Sequence, residues 1–322
     1  MKIVWSKKNI FFVIIISLIL ILLVVGIIYL VNKKKYPEEP LEANNLGKSN
    51  VTVNISDMKR EGEGKDIPVY SVLMKVHVSN IEELISKLGL VLKKEEIEKD
   101  TSIKWSDGKS TFSYNSLEDV LNFQLGEGIS MAKGVDGFSE LFNRYLGWEY
   151  KFVLNKEHRD LDGGTTYYAS RVLGDIPIQF SYAYEYTDVL KFDKNGKLVS
   201  ASLLLAEIEE YDFFLPLIDR KELETYINLK EYPKEHYVDT SVLVETLDLH
   251  YLDDSWTEIE ESVTGCIADK SEVILLYKDT NQGYLLPVFK ISSTCKVYKD
   301  DLEYSVPALF YVNGVNPRYI AL

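Results

Sequence analysis

One stretch constrains this chain more than any other. From Ile10 to Val31, twenty-two residues run without a charge. About 20 apolar residues cross a bilayer as a helix, because lipid leaves a bare backbone unsatisfied and a helix satisfies its own. The expectation is a single N-terminal transmembrane helix, residues 10–31, behind a short basic tail, residues 1–9. A cleaved leader has an apolar core of about 7–15 residues and a small-residue cleavage site. This core is longer, and Tyr29-Leu30-Val31-Asn32-Lys33 offers no such site. Lys2, Lys7 and Lys8 precede the stretch, and Lys33, Lys34 and Lys35 follow it, so the positive-inside rule is nearly balanced. The α-amino group and the acidic run Glu38, Glu39, Glu42 tilt the balance. They place the N-terminus in the cytoplasm and residues 36–322 outside, as a single-pass signal-anchor in the cell membrane.

The formal charge of the 322 residues is −14. The first 35 residues hold six lysines and no acid, which leaves −20 on residues 36–322. A domain so acidic repels polyanions, so no nucleic-acid partner is expected. Tyr is abundant, at 22 against 13 Phe and 4 Trp. Tyr, Val and Ile suit half-buried strands, so the outer domain should be rich in sheet. Two cysteines occur, Cys266 and Cys295, with no CxxC spacing. They pair in an exported domain, or they stand as two buried thiols. Their places near the ends of one expected hairpin favour the pair.

Residues 32–66 read as a flexible linker: polar, with Pro37, Pro40, Gly47, Gly62 and Gly64, and without a period. Residues 67–218 read as a first α+β unit or units, and 219–322 as a second. Ile67 to Ser79 is an expected strand, followed by a helix carrying Ile81, Leu84, Ile85 and Leu88. Asp107-Gly108 marks a hairpin within 103–114. Leu117 to Leu125 is ambiguous between helix and strand. A helix over Val135 to Tyr145 is expected before strands 149–154 and 165–172. Ile176 to Tyr186 alternates strictly, with Ile176, Ile178, Phe180, Tyr182, Tyr184 and Tyr186 on one side. It should pair with 188–192 or 197–206, which Asp193-Lys-Asn-Gly196 joins as a hairpin. Asp219 with Glu222 has the form of a capping box before Leu223, Tyr226 and Ile227. Residues 272–277 and 284–291 form the last hairpin, with Pro287 marking an edge, and 305–312 closes the chain.

Helix ends at Leu88-Gly89 and Leu146-Gly147, each followed by a hairpin, point to an α+β fold with helices on one sheet face. Three further stretches share a layout: Val189-Leu-Lys-Phe-Asp-Lys-Asn-Gly-Lys-Leu-Val199, Leu215-Pro-Leu-Ile-Asp219 and Tyr284-Leu-Leu-Pro-Val-Phe289. On these the chain resembles the YycI and YycH type of membrane-anchored regulator, with PepSY-like extracytoplasmic units. The resemblance covers the layout of about residues 67–312 and transfers no site residue. It implies a non-enzymatic protein that controls a sensor through contacts at the membrane.

Catalytic motifs fail one by one. His158-Arg-Asp-Leu161 mimics a kinase catalytic loop, but the metal-binding Asn is replaced by Thr165 and no Gly-rich loop exists. Gly126-Glu-Gly128 has Met131 where a dinucleotide fingerprint needs Gly. In the stretch from Asp193, Leu198 stands at the turn position of a calcium loop. His77, His158, His236 and His250 are scattered. Fifty acids are too many for a catalytic carboxylate pair to be picked out. No cofactor and no metal are expected. The row Tyr182, Tyr184, Tyr186 is either a receiving surface for peptide or sugar or a sheet face covered by a helix, and its aliphatic neighbours favour the cover. A second candidate surface is the terminal sheet around Tyr284 and Pro287, where a partner strand could add to an edge. The function expected is a membrane-anchored extracytoplasmic binding or regulatory module with a protein partner in the membrane or envelope. The alternative is an envelope enzyme acting on cell wall or carbohydrate.

Overall fold

The computed structural model describes residues 20–22, 36–37, 39–42, 46, 49–60, 65–73, 78–98, 101–130, 136–137, 139–140, 151–180, 186–229, 232–238, 263–277, 283–299 and 302–321. Three short strands come first: β1 (Leu41–Glu42), β2 (Val53–Asn54) and β3 (Lys59–Arg60). After β4 (Asp66–Leu73) and helix α1 (Val78–Lys87) come β5 (Lys93–Glu98), β6 (Ser102–Ser106), β7 (Thr111–Asn115) and β8 (Val120–Ser130). Next are β9 (Lys151–Arg159), β10 (Thr165–Leu173), β11 (Ile176–Phe180), β12 (Asp188–Phe192), β13 (Lys197–Leu204) and β14 (Glu207–Pro216). Helix α2 (Arg220–Tyr226) precedes β15 (Lys234–Val238), β16 (Thr264–Tyr277), β17 (Tyr284–Leu285), β18 (Pro287–Lys299), β19 (Leu302–Asn313) and β20 (Ile320–Ala321).

The expected α+β architecture does not stand. Among the described residues, strands take 61% and helix 13%. The apolar residues of most segments recur at every second position, which is a sheet period, and 117–125 resolves in the same way into β8. With the helix-plus-hairpin units goes the YycI-like and PepSY-like layout that they carried. The single N-terminal transmembrane helix is corrected too, and with it the single-pass signal-anchor reading. No helix among the described residues is long and apolar enough to cross a membrane. Of residues 10–31, Leu20, Ile21 and Leu22 are described, helical and exposed; the rest lie outside the described residues. The expected helix over Val135 to Tyr145 also falls largely outside them.

The N-terminal half is an antiparallel run in the order β9-β10-β12-β13-β8-β7-β6-β5. Directly opposed residues share a face, so Trp105, Phe112, Phe123, Ala201, Leu190 and Tyr167 form one row. Helix α1 lays Ile81, Leu84 and Ile85 onto this side. Each such side chain gains roughly 1.5–3 kcal/mol from burial. The helix ends as its sequence dictates: Gly89 takes φ +74°, and the Leu90 N–H donates to Ile85 O at 3.1 Å.

The C-terminal half is β15-β19-β18-β16, with α2 packed on it. The free side of β16 is filled end to end by β2, β3 and β11, all parallel to it. The segment expected as flexible linker therefore contributes Val51, Val53, Ile55 and Met58 to this core. Asn228 holds the segment like a strand partner. The Val53 N–H donates to its Oδ1 at 3.1 Å, and its Nδ2 donates to Val53 O at 3.3 Å. Arg220 donates to the carbonyls of Ile55 and Ser56. The capping box is present: Glu222 N–H donates to Asp219 Oδ1 at 2.7 Å, and Asp219 N–H to Glu222 Oε2 at 2.9 Å.

A two-residue turn joins the halves. Gly174 and Asp175 both have positive φ, the form that matches strand twist in a tight hairpin. A Cβ on Gly174 would sit 2.7 Å from the Tyr70 hydroxyl, so a larger residue there would have to displace that ring. Strand β11 then leaves β10 after two residue pairs and joins β16. It does not pair with 188–192 or 197–206 as its pattern led one to expect. Pro287 is not at an edge either. It is buried and opens β18, which lies between β16 and β19. At the first residue of a strand the missing N–H is tolerated.

Candidate functional site

The face of the N-terminal sheet opposite α1 is wet. In β8, Leu121, Phe123 and Leu125 point into the core, so Asn122 and Gln124 point out. Register carries this outward parity across the neighbours. One row runs Thr111, Gln124, Ser200, Lys191; the next runs Ser113, Asn122, Ser202, Val189. Together they line a shallow groove of about 450 Å³. Thr111, Ser113, Asn122, Gln124, Ser200 and Ser202 make no side-chain hydrogen bond to another described residue.

The one charge among the groove's described lining residues is tied down. Lys191 Nζ lies 3.1 Å from Asp160 Oδ2. Thr166 Oγ1 donates to the same carboxylate at 3.1 and 3.2 Å. The hydrogen bond from Lys191 leads the causes that hold Asp160 below the usual carboxylate range, and Asp160 in turn raises Lys191. The groove is therefore polar and close to neutral within an acidic chain. At its β10 end Tyr168 lies opposite Val189, and its ring packs on Tyr186 at 5.0 Å between centroids.

A second constellation is sealed. Asp119 and Asp188 are 0% exposed, and Arg171 is 4% exposed. Tyr114 Oη donates to Asp119 Oδ1 at 2.6 Å. Thr187 Oγ1 donates to Asp188 Oδ2 at 2.6 Å, and the Leu204 N–H to Asp188 Oδ1 at 3.2 Å. Arg171 Nη1 donates to Ala206 O at 2.5 Å. Burial pushes Asp119 up to about 6 and Asp188 up to about 7, opposed by these hydrogen bonds and by the Arg171 charge. Shifted carboxylates of this kind mark catalytic sites when they line a cleft. These line none of the grooves described, so their role is to pin strand ends. Among the described residues no group of three His, Cys, Asp or Glu side chains could hold a metal ion.

The surfaces expected from sequence are placed as follows. Tyr182 and Tyr184 lie outside the described residues, and Tyr186 is half-buried against Tyr168. Tyr284 is half-buried in β17, which pairs with β4, and its ring meets that of Tyr211 at 5.8 Å. Pro287 is interior, so no partner strand adds there. Cys266 and Cys295 form a disulfide between β16 and β18, at 2% and 0% exposure. A groove of about 580 Å³ runs beside it, between residues 52–56 and Asn228.

No family model matches the chain, and no curated protein matches it. Among solved structures, the chain is similar to an uncharacterized protein from Eubacterium rectale ATCC 33656. The TM-score is 0.45 at 10% identity, over 83% of this chain and 88% of that one.

Proposed function

We propose that this chain is a non-enzymatic binding module that works outside the cytoplasm, at the cell envelope, and that the open face of the N-terminal sheet receives its partner. The observation that carries this reading is the groove itself. Six hydroxyl and amide side chains stand in two registered rows with no partner in the chain among the described residues. The Cys266–Cys295 disulfide supports an oxidising compartment, since such bonds persist in exported proteins and are rare in the cytosol. Binding rather than turnover is supported by where the perturbed carboxylates lie. Asp119 and Asp188 are shut in the core, out of reach of any substrate.

The test blocks the face without touching the core. Ser113→Arg and Ser202→Arg together put two long cations across the groove. The full chain and this variant are sedimented with purified envelope material, with thermal melts to confirm folding. At least about a tenfold loss of retention is expected if the groove makes the contact, the scale of one or two lost hydrogen-bond sets. Equal retention of a folded variant overturns the reading.

A further inference from the structure

We infer that the groove binds a linear, uncharged glycan laid across the strands, about one sugar ring per strand. This rests on the binding-surface reading above and names its ligand class. Three observations converge on it.

The first is the period. Neighbouring strands lie about 4.8 Å apart, so the four strands β7, β8, β13 and β12 span roughly 14 Å between the outer pair. One strand spacing is close to the length of one pyranose ring in an extended chain. Each strand offers one side chain from each row, and in β7, β8 and β13 both are hydroxyls or amides: Thr111 with Ser113, Gln124 with Asn122, Ser200 with Ser202. A glycan thus meets a pair of hydroxyl or amide groups at three of its rings and Val189 with Lys191 at the fourth. A peptide strand would find no free backbone here, because the floor is the middle of a paired sheet.

The second is the chemistry of the pairs. Hydroxyls and amides both donate and accept, as sugar hydroxyls do. The Tyr168–Tyr186 pair stands where the row ends, and its rings give an apolar face on which a sugar ring can stack.

The third is charge. Residues 36–322 carry −20, and the lysine in the groove is neutralised by Asp160. A phosphorylated or sulfated polymer would meet repulsion from the domain and no free cation in the groove. An uncharged polyol meets neither penalty.

The experiment is calorimetric titration of the full chain with β-1,4-linked N-acetylglucosamine and glucose oligomers of one to six rings, and with sulfated dextran. Binding of at least one neutral series is expected, rising with length and levelling at about four rings, the span of the groove. Asn122→Ala with Gln124→Ala should weaken the hexamer about tenfold, and Tyr168→Ala by a similar factor. Three results overturn the inference. Neither neutral hexamer binds, although the Ser113→Arg, Ser202→Arg chain loses envelope retention: the surface then stands and its ligand is something else. Sulfated dextran binds as tightly as the neutral chains. The neutral hexamer binds but ignores both Asn122/Gln124 and Tyr168. If the blocked variant also keeps full envelope retention, the surface reading falls as well.

Discussion

The two halves of the long sheet solve burial differently. In the N-terminal half β7, β8 and β12 alternate, so one face is dry under α1 and the other is wet. In the C-terminal sheet the run Ile274-Leu-Leu-Tyr277 is buried at every position, facing one core through Leu275 and Tyr277 and another through Ile274 and Leu276. Strand β18 does likewise, with Val288 in one cluster and Phe289 in another. Continuous apolar runs mark a sheet covered on both sides, and alternation marks one covered on a single side. At these runs the C-terminal half has both faces committed to packing. The half with one covered face presents the other to solvent, and the proposed groove lies on that face.

The largest effect that would sharpen this contrast lies in the dry half. Replacing Cys266 and Cys295 with Ala removes a cross-link between residues 29 apart in sequence. The chain-entropy argument puts the loss at about 3–4 kcal/mol. Urea unfolding followed by hydrogen exchange should show the loss concentrated in β16, β18 and β19, with the α1-covered sheet protected as before. Equal loss of protection in both sheets would mean that the halves unfold as one, and the contrast would be one of surface only.

A middle effect lies under the wet sheet. The buried Asp188 has its pKa raised to about 7, far above the value of an unfolded aspartate near 4. The native state therefore holds a proton that the unfolded chain has released. Stability from this group is full below about pH 4 and is lost as pH rises toward 7, by up to about 1.4 kcal/mol per pH unit. Asp119, raised to about 6 for the same reason, adds to the trend over a narrower window. Asp188→Asn keeps the shape and removes the titration. Urea midpoints between pH 4.5 and 7.5 should fall less steeply in this variant; an unchanged slope would show that Asp188 does not titrate in that window.

The smallest effect is expected on the wet face. Ser200→Ala removes a hydroxyl that no described residue uses, so stability should move by no more than about 0.5 kcal/mol in a thermal or urea melt. A larger drop would mean that the face is a structural surface.

What the residues disclosed beforehand follows how local each signal is. The Asp193–Gly196 hairpin was legible because Asp193 Oδ1 accepts from the Asn195 and Lys197 N–H groups, and Gly196 supplies φ +77°. The capping box at Asp219 was legible for the same reason. The partner of Ile176–Phe180 was not, since its strand bridges two sheets and takes a mate almost one hundred residues on. Pro287 misled because a proline reads as an edge until the register shows it opening a strand. The groove was not legible, because Leu117 to Leu125 was ambiguous between helix and strand. Leu121-Asn-Phe-Gln-Leu125 alternates, but small polar residues carry no motif, and only the register of four strands assembles them into a surface.

The segment that fills the free side of β16 has a kinetic consequence. Val53 is gripped by Asn228, 175 residues further along the chain, and pairs with β16 beyond that. During synthesis this early segment has no mate until almost all of the chain has been made. The α1-covered sheet closes on nearer neighbours and can form first. The C-terminal half is then completed late, by contacts between segments far apart in sequence, and such contacts slow folding. Until that moment Val51, Val53, Ile55 and Met58 have no core to enter. An incomplete chain would expose an apolar segment of strand character to its neighbours, so chains ending short of β16 should aggregate rather than fold.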